Sequence, residues 1–516
     1  MSFGKNRVQY GDFYWQFYRS SRFDTYFYVG GEELAVEVSK VANKKLYELE
    51  SFFDYKVERR LIFIVYNKLS DFRQSNIGLV TGDNQYNIGG VTKIVGNKVF
   101  IYNEGGREEL EKQIAASIAE VLLNELLFGN SFRQKLTNST LMNIPEWYTK
   151  GLISYLADNW NIEIDSYVKD GILSGKYEKF NRLTGKDAVY AGHSIWNYIA
   201  KTYGKKVIPN IIYLTRISKS TDSGFLYVLG TPIKNMTFDW RHYYDEIYYN
   251  ENKQFNAPSG DEIVKRMKKR RVYDQVSISP DGNKAAWTTN ELGKIIIWLY
   301  DFQTDKTKKI FKQGNKLDQI TDYSYPVLAW HPTGELLAYT TEEKGSLYLN
   351  TYMLEDKKTH RKELFHFQKI LDFSYSPNGL KMAVSAIQDG KTDLFVYSVT
   401  SNTVERITND FADDFTPRFS EDGKRIVFSS NRGTNAVDLK DDNKSFEYSN
   451  FDVYVYDYQD KSKKLTRITE TPQFKEIAPV EVDERKYLFL SDKNGIINRY
   501  LAEYDSTLDF IDTAAH

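Results

Sequence analysis

The residue types that carry most enzyme chemistry are scarce in this sequence. Its 516 residues include no cysteine and only six histidines. Thiol nucleophiles, disulfide scaffolds and thiolate zinc sites are therefore excluded, and imidazole ligands are few. Apart from His193, the histidines lie too far apart in the pattern to suggest a pair of metal ligands: His242, His331, His360, His366 and His516.

The stretch Gly192-His193-Ser194-Ile195-Trp196 begins like a nucleophile elbow. The elbow pattern Gly-x-Ser-x-Gly needs glycine where this chain has Trp196. We interpret the stretch as the start of a helix. His193 is then a packed or surface histidine, with a catalytic base as the less favoured alternative. Neither common glycine-rich phosphate loop occurs in the sequence.

The run from Lys265 to Arg271 is the strongest basic cluster in a chain whose formal net charge is −1. A chain so close to neutrality has no global field that attracts nucleic acid or anionic lipid. We interpret the run as a solvated linker or a protected edge strand, and an anionic partner is the alternative. A nucleic-acid function is not expected.

Strands and long helices are mixed between about residue 22 and residue 250, which predicts an α+β fold. Periodicity predicts strands at 23–29, 61–66 and 99–102, and helices at 32–53, at 108–128, after Pro145, and at 163–180, 188–204 and 205–217. Hydrophobic residues make up 41% of the chain, which is enough to bury large cores. No apolar run is long enough to span a membrane, so no transmembrane segment is expected.

Four turn sequences recur in the second half of the chain, each between two apolar strands. They are Ser279-Pro280-Asp281-Gly282, His331-Pro332-Thr333-Gly334, Ser376-Pro377-Asn378-Gly379 and Ser420-Glu421-Asp422-Gly423. Their glycines are 52, 45 and 44 residues apart, close to the length of one four-stranded propeller blade. A fifth unit, 479–491, aligns with 417–429 but lacks the turn glycine. The spacing predicts a β-propeller with five visible blades.

These repeats resemble the TolB-type propeller, a module of bacterial envelope proteins and of several peptidases. The resemblance covers about residues 263–516 and implies six blades, so we expect a chain truncated before its last blade. It also implies the periplasm or the outer-membrane periphery. The sequence begins without an apolar leader, so the signal peptide is expected to be absent from this form.

Four acids precede the blade turns at similar distances: Asp274, Asp372, Asp414 and Glu476. In a propeller the innermost strands begin at one mouth of the central channel. A ring of carboxylates there would concentrate negative potential and favour a cationic partner segment or a metal ion. The favoured alternative is that each carboxylate caps a local backbone turn.

The first half resembles the gluzincin (peptidase-MA-like) metallopeptidases over about residues 22–215. The segment from Pro145 to Tyr155 matches the family pattern around the third zinc ligand, with Lys150 at the position of the ligand glutamate. Counting back from Gly129 aligns the family's His-Glu-x-x-His motif with 116–120. The polar stretch 251–262 then separates this zincin-like domain, 1–250, from the propeller, 263–516.

All four metal-site positions depart from the family pattern. Ala116 has no lone pair, Ser117 cannot act as a carboxylate base, and Lys150 would place an ammonium where a dication should bind. Glu120 alone could ligate zinc. We therefore expect no metal, no cofactor and no peptidase activity. The two new charges suggest a Glu120–Lys150 ion pair across the former site, and the alternative is that both side chains reach solvent.

The predicted function is a non-catalytic scaffold of the bacterial cell envelope that binds an envelope protein or an extended peptide. A degenerate peptidase groove and a propeller face both offer recognition surfaces, and a groove can capture a peptide without metal chemistry. The first alternative is an active hydrolase with an atypical metal site or with chemistry beyond residue 516. The second is a binder of glycan or cell-wall fragments.

Overall fold

The computed structural model describes residues 11–75, 93–129, 142–252, 260, 262–268, 270–316, 321–437 and 450–505. The chain divides into two compact units, the first running to Arg266 and the second beginning at Met267. Each unit has its own core.

A five-stranded mixed sheet forms one layer of the first unit. Its strands are β1 (Gln16–Arg19), β2 (Phe23–Phe27), β3 (Leu61–Tyr66), β4 (Lys93–Val95) and β5 (Lys98–Tyr102). Their order across the sheet is β1-β2-β3-β5-β4. The pairs β2–β3 and β3–β5 are parallel, whereas both edge strands pair antiparallel to their neighbours. The predicted α+β class of this half is confirmed.

Helices make up the rest of the first unit. They are α1 (Glu32–Phe53), α2 (Leu69–Phe72), α3 (Arg107–Phe128), α4 (Glu146–Ala157), α5 (Ile162–Leu173), α6 (Gly185–Tyr203), α7 (Val207–Ser218), α8 (Thr221–Leu229) and α9 (Ile233–Asn252). The predicted helix 163–180 is in fact two elements, since Gly175 adopts a φ of 71° after α5 and a 3-10 segment, Lys176–Arg182, follows. Gly192 lies in the middle of α6, so the predicted helix start there was wrong.

The helical core is built around three fully buried tryptophans, Trp147, Trp196 and Trp240. Helices α4 and α6 cross with two glycines in contact. A Cβ atom added to Gly192 would lie 2.1 Å from the carbonyl oxygen of Trp147, and one added to Gly151 would lie 2.3 Å from the Cα of Gly192. The two backbones thus touch at a distance that only glycine permits.

The described residues of the second unit form five antiparallel sheets that follow one another along the chain. Blade 1 holds β6 (Val272–Ile278), β7 (Lys284–Glu291), β8 (Lys294–Asp301) and β9 (Lys306–Gln313); blade 2 holds β10 (Leu328–Trp330), β11 (Leu336–Glu343), β12 (Ser346–Met353) and β13 (Thr359–Leu364); blade 3 holds β14 (Lys369–Tyr375), β15 (Lys381–Gln388), β16 (Lys391–Ser398) and β17 (Thr403–Arg406). Blade 4 holds β18 (Asp414–Phe419), β19 (Arg425–Ser430), β20 (Asp452–Asp457) and β21 (Thr466–Arg467); blade 5 holds β22 (Glu476–Asp483), β23 (Lys486–Ser491) and β24 (Asn498–Glu503). The five blades predicted from the repeats are confirmed, and the sixth blade that the resemblance implies stays a prediction.

The repeated turns are closed by local hydrogen bonds, which explains why they are visible in the sequence. Ser420 Oγ accepts from the backbone N–H of Arg425 at 2.9 Å and donates to the carboxylate of Asp422 at 2.6 Å. Gly423 supplies the positive φ of 72° that the turn requires. In blade 5 the corresponding position is Arg485, which adopts a φ of 63° without being glycine.

Four apolar clusters hold the five blades together. Each cluster joins side chains of two consecutive blades, from the pair of blades 1 and 2 to the pair of blades 4 and 5. Small aliphatic residues such as Ala286, Ala383 and Val427 face aromatic or large residues of the next blade. This repeated packing is what stabilises the arc of sheets.

Candidate functional site

Helices α3 and α4 carry the four positions that the gluzincin resemblance predicts as metal-site positions. Ala116 and Ser117 on α3 are buried, and Ser117 Oγ donates a hydrogen bond to the backbone carbonyl of Gln113 at 2.7 Å. Glu120 lies one turn further along α3 and is half-buried. The serine hydroxyl is therefore hydrogen-bonded within its own helix.

Lys150 is the charged centre of this site. Its Nζ lies 3.1 Å from the carboxylate of Glu146, one turn earlier on α4. Its charge also lowers the pKa of Glu120, although burial dominates and leaves that pKa above the ordinary value. No direct salt bridge joins Glu120 to Lys150, so the predicted bridge across the site was wrong. Both charges face one region, but Lys150 finds a nearer partner on its own helix.

The donor set does not fit zinc. Alanine offers no ligand, and an ammonium group beside Glu120 repels a dication. Within the described part of the chain, no group of three His, Cys, Asp or Glu side chains is arranged to hold a metal ion. The chemistry of these residues therefore disagrees with the metal that the gluzincin resemblance implies.

His193 meets a serine that the sequence did not single out. Ser154 Oγ on α4 lies 2.7 Å from Nδ1 of His193 on α6. Both residues are at most 3% exposed, and burial lowers the pKa of His193 to about 3. A substrate has no access to this pair, and the imidazole resists protonation. The pair therefore serves the packing of α4 on α6, in line with the predicted packed histidine.

The four predicted propeller acids do not share one environment. Asp414 is fully buried, and Glu476 is only 2% exposed. Asp274 and Asp372 each accept a hydrogen bond from the next backbone N–H, at 2.7 and 2.9 Å, and Asp372 also binds Arg418 at 2.8 Å. Local capping, the alternative to the acidic ring, therefore accounts for two of them. The partner-binding role of the four acids stays a prediction.

Buried arginine–aspartate pairs occur in blades 3 and 4, and the sequence analysis did not predict them. Arg432 is 1% exposed and binds both carboxylate oxygens of Asp414 at 2.8 Å. Two further arginine–aspartate pairs occupy equivalent places on successive blades, namely Arg406–Asp393 and Arg467–Asp452. The signal was present as the repeated triplet Arg-Ile-Thr at 406–408 and 467–469.

Glu476 carries the clearest pH dependence in the propeller. Burial and the neighbouring Asp452 raise the pKa of Glu476 to about 7, although the hydroxyls of Thr471 and Ser491 donate to its carboxylate. At pH values between the ordinary pKa of glutamate and about 7, the folded state therefore keeps the carboxyl group of Glu476 protonated. The unfolded state has already released this proton. Its contribution to stability is therefore present at low pH and is lost as the pH rises through about 7.

Glu476→Gln should remove this pH-dependent loss of folding stability. We expect the variant to be more stable than the wild type by about 1–2 kcal/mol at pH 8, after allowance for solvent screening, and nearly equal to it at pH 4. Denaturant unfolding at the two pH values measures the difference. Glu484→Gln, which removes an exposed carboxylate from the same blade, is the matched control. An equal effect of Glu476→Gln at both pH values would contradict the assignment.

The basic run lies where the second unit begins. Arg271 forms an ion pair with Glu291 of β7 at 2.9 Å, and Lys268 and Arg270 are exposed. This supports the interpretation as a solvated segment that leads into the first blade. Among the described residues no helix is long and apolar enough to cross a membrane.

Comparison with known proteins identifies the class of the second unit. The family model of the TolB β-propeller domain (PD40) matches residues 312–437, which cover blades 2 and 3 and part of blade 4. Together with the five sheets, this match defines a TolB-like β-propeller domain. These comparisons do not show a zincin-like character for the first unit.

The individual relatives are distant. A Tricorn-like protease C-terminal subunit of Sulfurisphaera tokodaii is 26% identical over 159 residues, which are 31% of this chain and 12% of the relative. TolB of Acinetobacter baumannii is 16% identical, with a TM-score of 0.32 over 46% of this chain and 56% of that one. The propeller domain of the Trilobed protease of Pyrococcus furiosus is 13% identical, with a TM-score of 0.30 over 47% of this chain and 83% of that one. With TM-scores this low, the fold assignment rests on the blades themselves and on the family match.

Proposed function

We propose that this protein is a non-catalytic scaffold of the bacterial cell envelope that binds an envelope protein or an extended peptide. TolB-like relatives of the propeller support a protein-binding role. A peptidase-like first unit that has lost its chemistry supplies the second recognition surface in this proposal. The periplasm is the proposed compartment, because it is where TolB-like domains act.

The observation that carries the proposal is the ammonium group of Lys150 beside Glu120. A peptidase site needs a Lewis acid or an activated nucleophile that a substrate can reach. Here the cation at the expected metal position is a lysine side chain held by Glu146. The Ser154–His193 pair is buried and offers no accessible nucleophile.

An active hydrolase is the competing function, since a curated relative is described as a protease subunit. Metal content and cleavage of an unbiased peptide library, measured on the same purified sample, separate the two. We expect no stoichiometric zinc and no cleavage. Stoichiometric zinc with chelator-sensitive cleavage would overturn the scaffold proposal. Retention on peptidoglycan, without any peptide binding, would favour the glycan-binding alternative instead.

A second experiment tests whether the first unit is a zincin-like fold. The variant Ala116→His, Ser117→Glu, Glu120→His, Lys150→Glu restores all four family positions on α3 and α4. If the resemblance is correct, this variant should bind one zinc ion with at least a hundredfold higher affinity than the wild type, about 3 kcal/mol of added binding. Isothermal titration with zinc chloride measures the affinity.

Two controls distinguish a folding defect of the restored variant from a wrong arrangement of its metal ligands. Far-ultraviolet circular dichroism reports whether the restored variant folds, because a histidine at the buried Ala116 position adds volume to the core. The triple variant that keeps Lys150 is the matched control and should bind zinc poorly. A folded restored variant without zinc affinity would refute the zincin-like assignment and leave the wild-type assays to decide on catalysis.

A further inference from the structure

Basic and acidic residues are divided unevenly along the propeller. Residues 267–316, which contain blade 1, include eleven basic and five acidic side chains. Residues 321–505, which contain blades 2 to 5, include 24 basic and 31 acidic ones. The formal net charge of −1 for the whole chain conceals this difference. Blade 1 is therefore a local source of positive potential in an otherwise acidic propeller.

The excess charge of blade 1 is concentrated on its outermost strand, β9. This strand holds four lysines and no acidic residue: Lys306, Lys308, Lys309 and Lys312. All four are exposed, and within the described part of the chain none of them forms an ion pair. The outer strands of blades 2 and 3, β13 and β17, mix the two signs instead. Lysines also protect an edge strand from pairing with other molecules, but that protection needs no surplus of one sign.

A neighbouring blade does not cover these lysines. Strand β9 is the edge strand in the order β6-β7-β8-β9. Lys308 pairs with Leu299, so Lys308 and Lys306, two positions earlier, lie on the sheet face that packs against blade 2. Both are exposed although that face is covered further inward. Their exposure therefore follows from their place on the outer edge of the sheet and does not depend on which other blades are present.

An apolar side chain accompanies the lysines. Phe302 lies in the turn that leads into β9 and is 44% exposed. The two acids of this turn are engaged locally. Asp301 accepts a hydrogen bond from the backbone N–H of Thr304 at 2.9 Å, and Asp305 accepts one from the hydroxyl of Tyr300 at 2.6 Å. An exposed ring beside unpaired lysines is typical of a segment that lies on an anionic membrane.

The side-chain types favour a lipid surface over a nucleic acid. Lysine is a point charge that meets mobile headgroups without a fixed geometry, whereas nucleic-acid recognition favours the planar fork of arginine. Strand β9 contains no arginine. The ring of Phe302 gains little from the outside of a DNA duplex, but it is stabilised at the boundary between headgroups and acyl chains.

From the unpaired lysines of β9 and the exposed ring beside them we propose that the outer edge of blade 1 docks on an anionic phospholipid surface. The ammonium groups of Lys306 and Lys308 meet the headgroup phosphates, and Phe302 enters the headgroup layer. Binding is peripheral and reversible. This inference is independent of the scaffold function and holds for an enzyme as well.

Vesicle flotation tests the proposal on the full chain. The probes are vesicles of phosphatidylcholine alone and vesicles that also contain about 30% phosphatidylglycerol. The wild type should bind only the anionic vesicles and should dissociate when sodium chloride is raised from about 0.05 M to about 0.5 M. Lys306→Glu/Lys308→Glu should weaken binding at least about twentyfold, since each lysine near such a surface contributes about fivefold.

The matched control changes the net charge of the chain by the same amount. Lys463→Glu/Lys464→Glu reverses two exposed lysines of blade 4 and should bind the anionic vesicles like the wild type. Circular dichroism establishes that both double variants are folded. A wild type that does not bind anionic vesicles would overturn the proposal. Equal losses in the two double variants would also overturn it, because net charge and not the edge of blade 1 would then cause the binding.

A third variant separates a lipid surface from a nucleic acid. Phe302→Ser should weaken vesicle binding about fivefold, because the ring no longer enters the headgroup layer. Fluorescence anisotropy with a labelled DNA duplex of about 20 base pairs gives the comparison at the same ionic strength. We expect the wild type to bind the duplex more weakly than the anionic vesicles. Tighter binding to the duplex, unchanged by Phe302→Ser, would refute the lipid assignment and identify a nucleic-acid surface instead.

Discussion

Gly192→Ala should lower the free energy of unfolding of the first unit by about 3 kcal/mol or more. The added methyl group would lie 2.1 Å from the carbonyl oxygen of Trp147, which belongs to the backbone of the neighbouring helix. A side chain could rotate away, but a helix backbone cannot move without disturbing the tryptophan core on both sides. The expected loss is a large fraction of the total stability of a typical domain.

The direction of the stability change distinguishes the helix crossing from helix propensity as its cause. In an exposed helix interior, glycine to alanine would stabilise by roughly 1 kcal/mol, because alanine loses less conformational entropy. Gly192 lies in the middle of α6, so a net loss of stability can only come from the crossing with α4. Gly151→Ala places its new atom 2.3 Å from the Cα of Gly192 and should give a loss of similar size.

Denaturant unfolding followed by tryptophan fluorescence measures both variants, since Trp147 and Trp196 report on this core. Gly11→Ala is the matched control, because Gly11 is exposed and a Cβ there would meet nothing within 4 Å. A loss below about 1 kcal/mol for Gly192→Ala would mean that the two helices can separate freely. The close crossing would then not be a determinant of this fold.

Arg432→Met should destabilise the propeller by about 3–5 kcal/mol. The guanidinium is buried and donates to both oxygens of Asp414, and a further bond reaches the carbonyl of Ala436 at 2.8 Å. Methionine approximates the volume of the side chain but removes both guanidinium hydrogen bonds to Asp414, whose carboxylate then keeps the hydrogen bond that the hydroxyl of Thr408 donates at 2.7 Å. An uncompensated buried charge is among the most destabilising changes known in protein interiors.

A second arginine on the same sheet provides the comparison. Arg418 binds Asp372 at the same distance of 2.8 Å, but its side chain is 34% exposed. Arg418→Met should therefore cost only about 0–1 kcal/mol, because water replaces the lost partner. The double variant Arg432→Met/Asp414→Asn should recover part of the loss, because it removes the unpaired charge. Equal effects of the two arginine variants would show that burial does not control the strength of these pairs.

The sequence by itself determined the elements that depend on short-range interactions. The propeller turns could be read because Ser420, Asp422 and Gly423 make their hydrogen bonds and adopt their backbone angles within six residues of one another. The long helix 32–53 was predicted to the residue because its amphipathic pattern repeats along one chain segment. Residue type alone also predicts that Ala116 and Lys150 cannot bind a metal ion.

Only the tertiary structure decided which distant groups meet. The sequence suggested a Glu120–Lys150 ion pair between two helices, but their packing leaves Lys150 paired with Glu146 on its own helix. It offered four propeller acids at similar spacing, yet Asp414 became buried against Arg432 while Asp274 caps the next backbone N–H. Gly192 was misread for the same reason. Its role follows from a helix that crosses it from 41 positions earlier in the chain, and no local pattern encodes that contact.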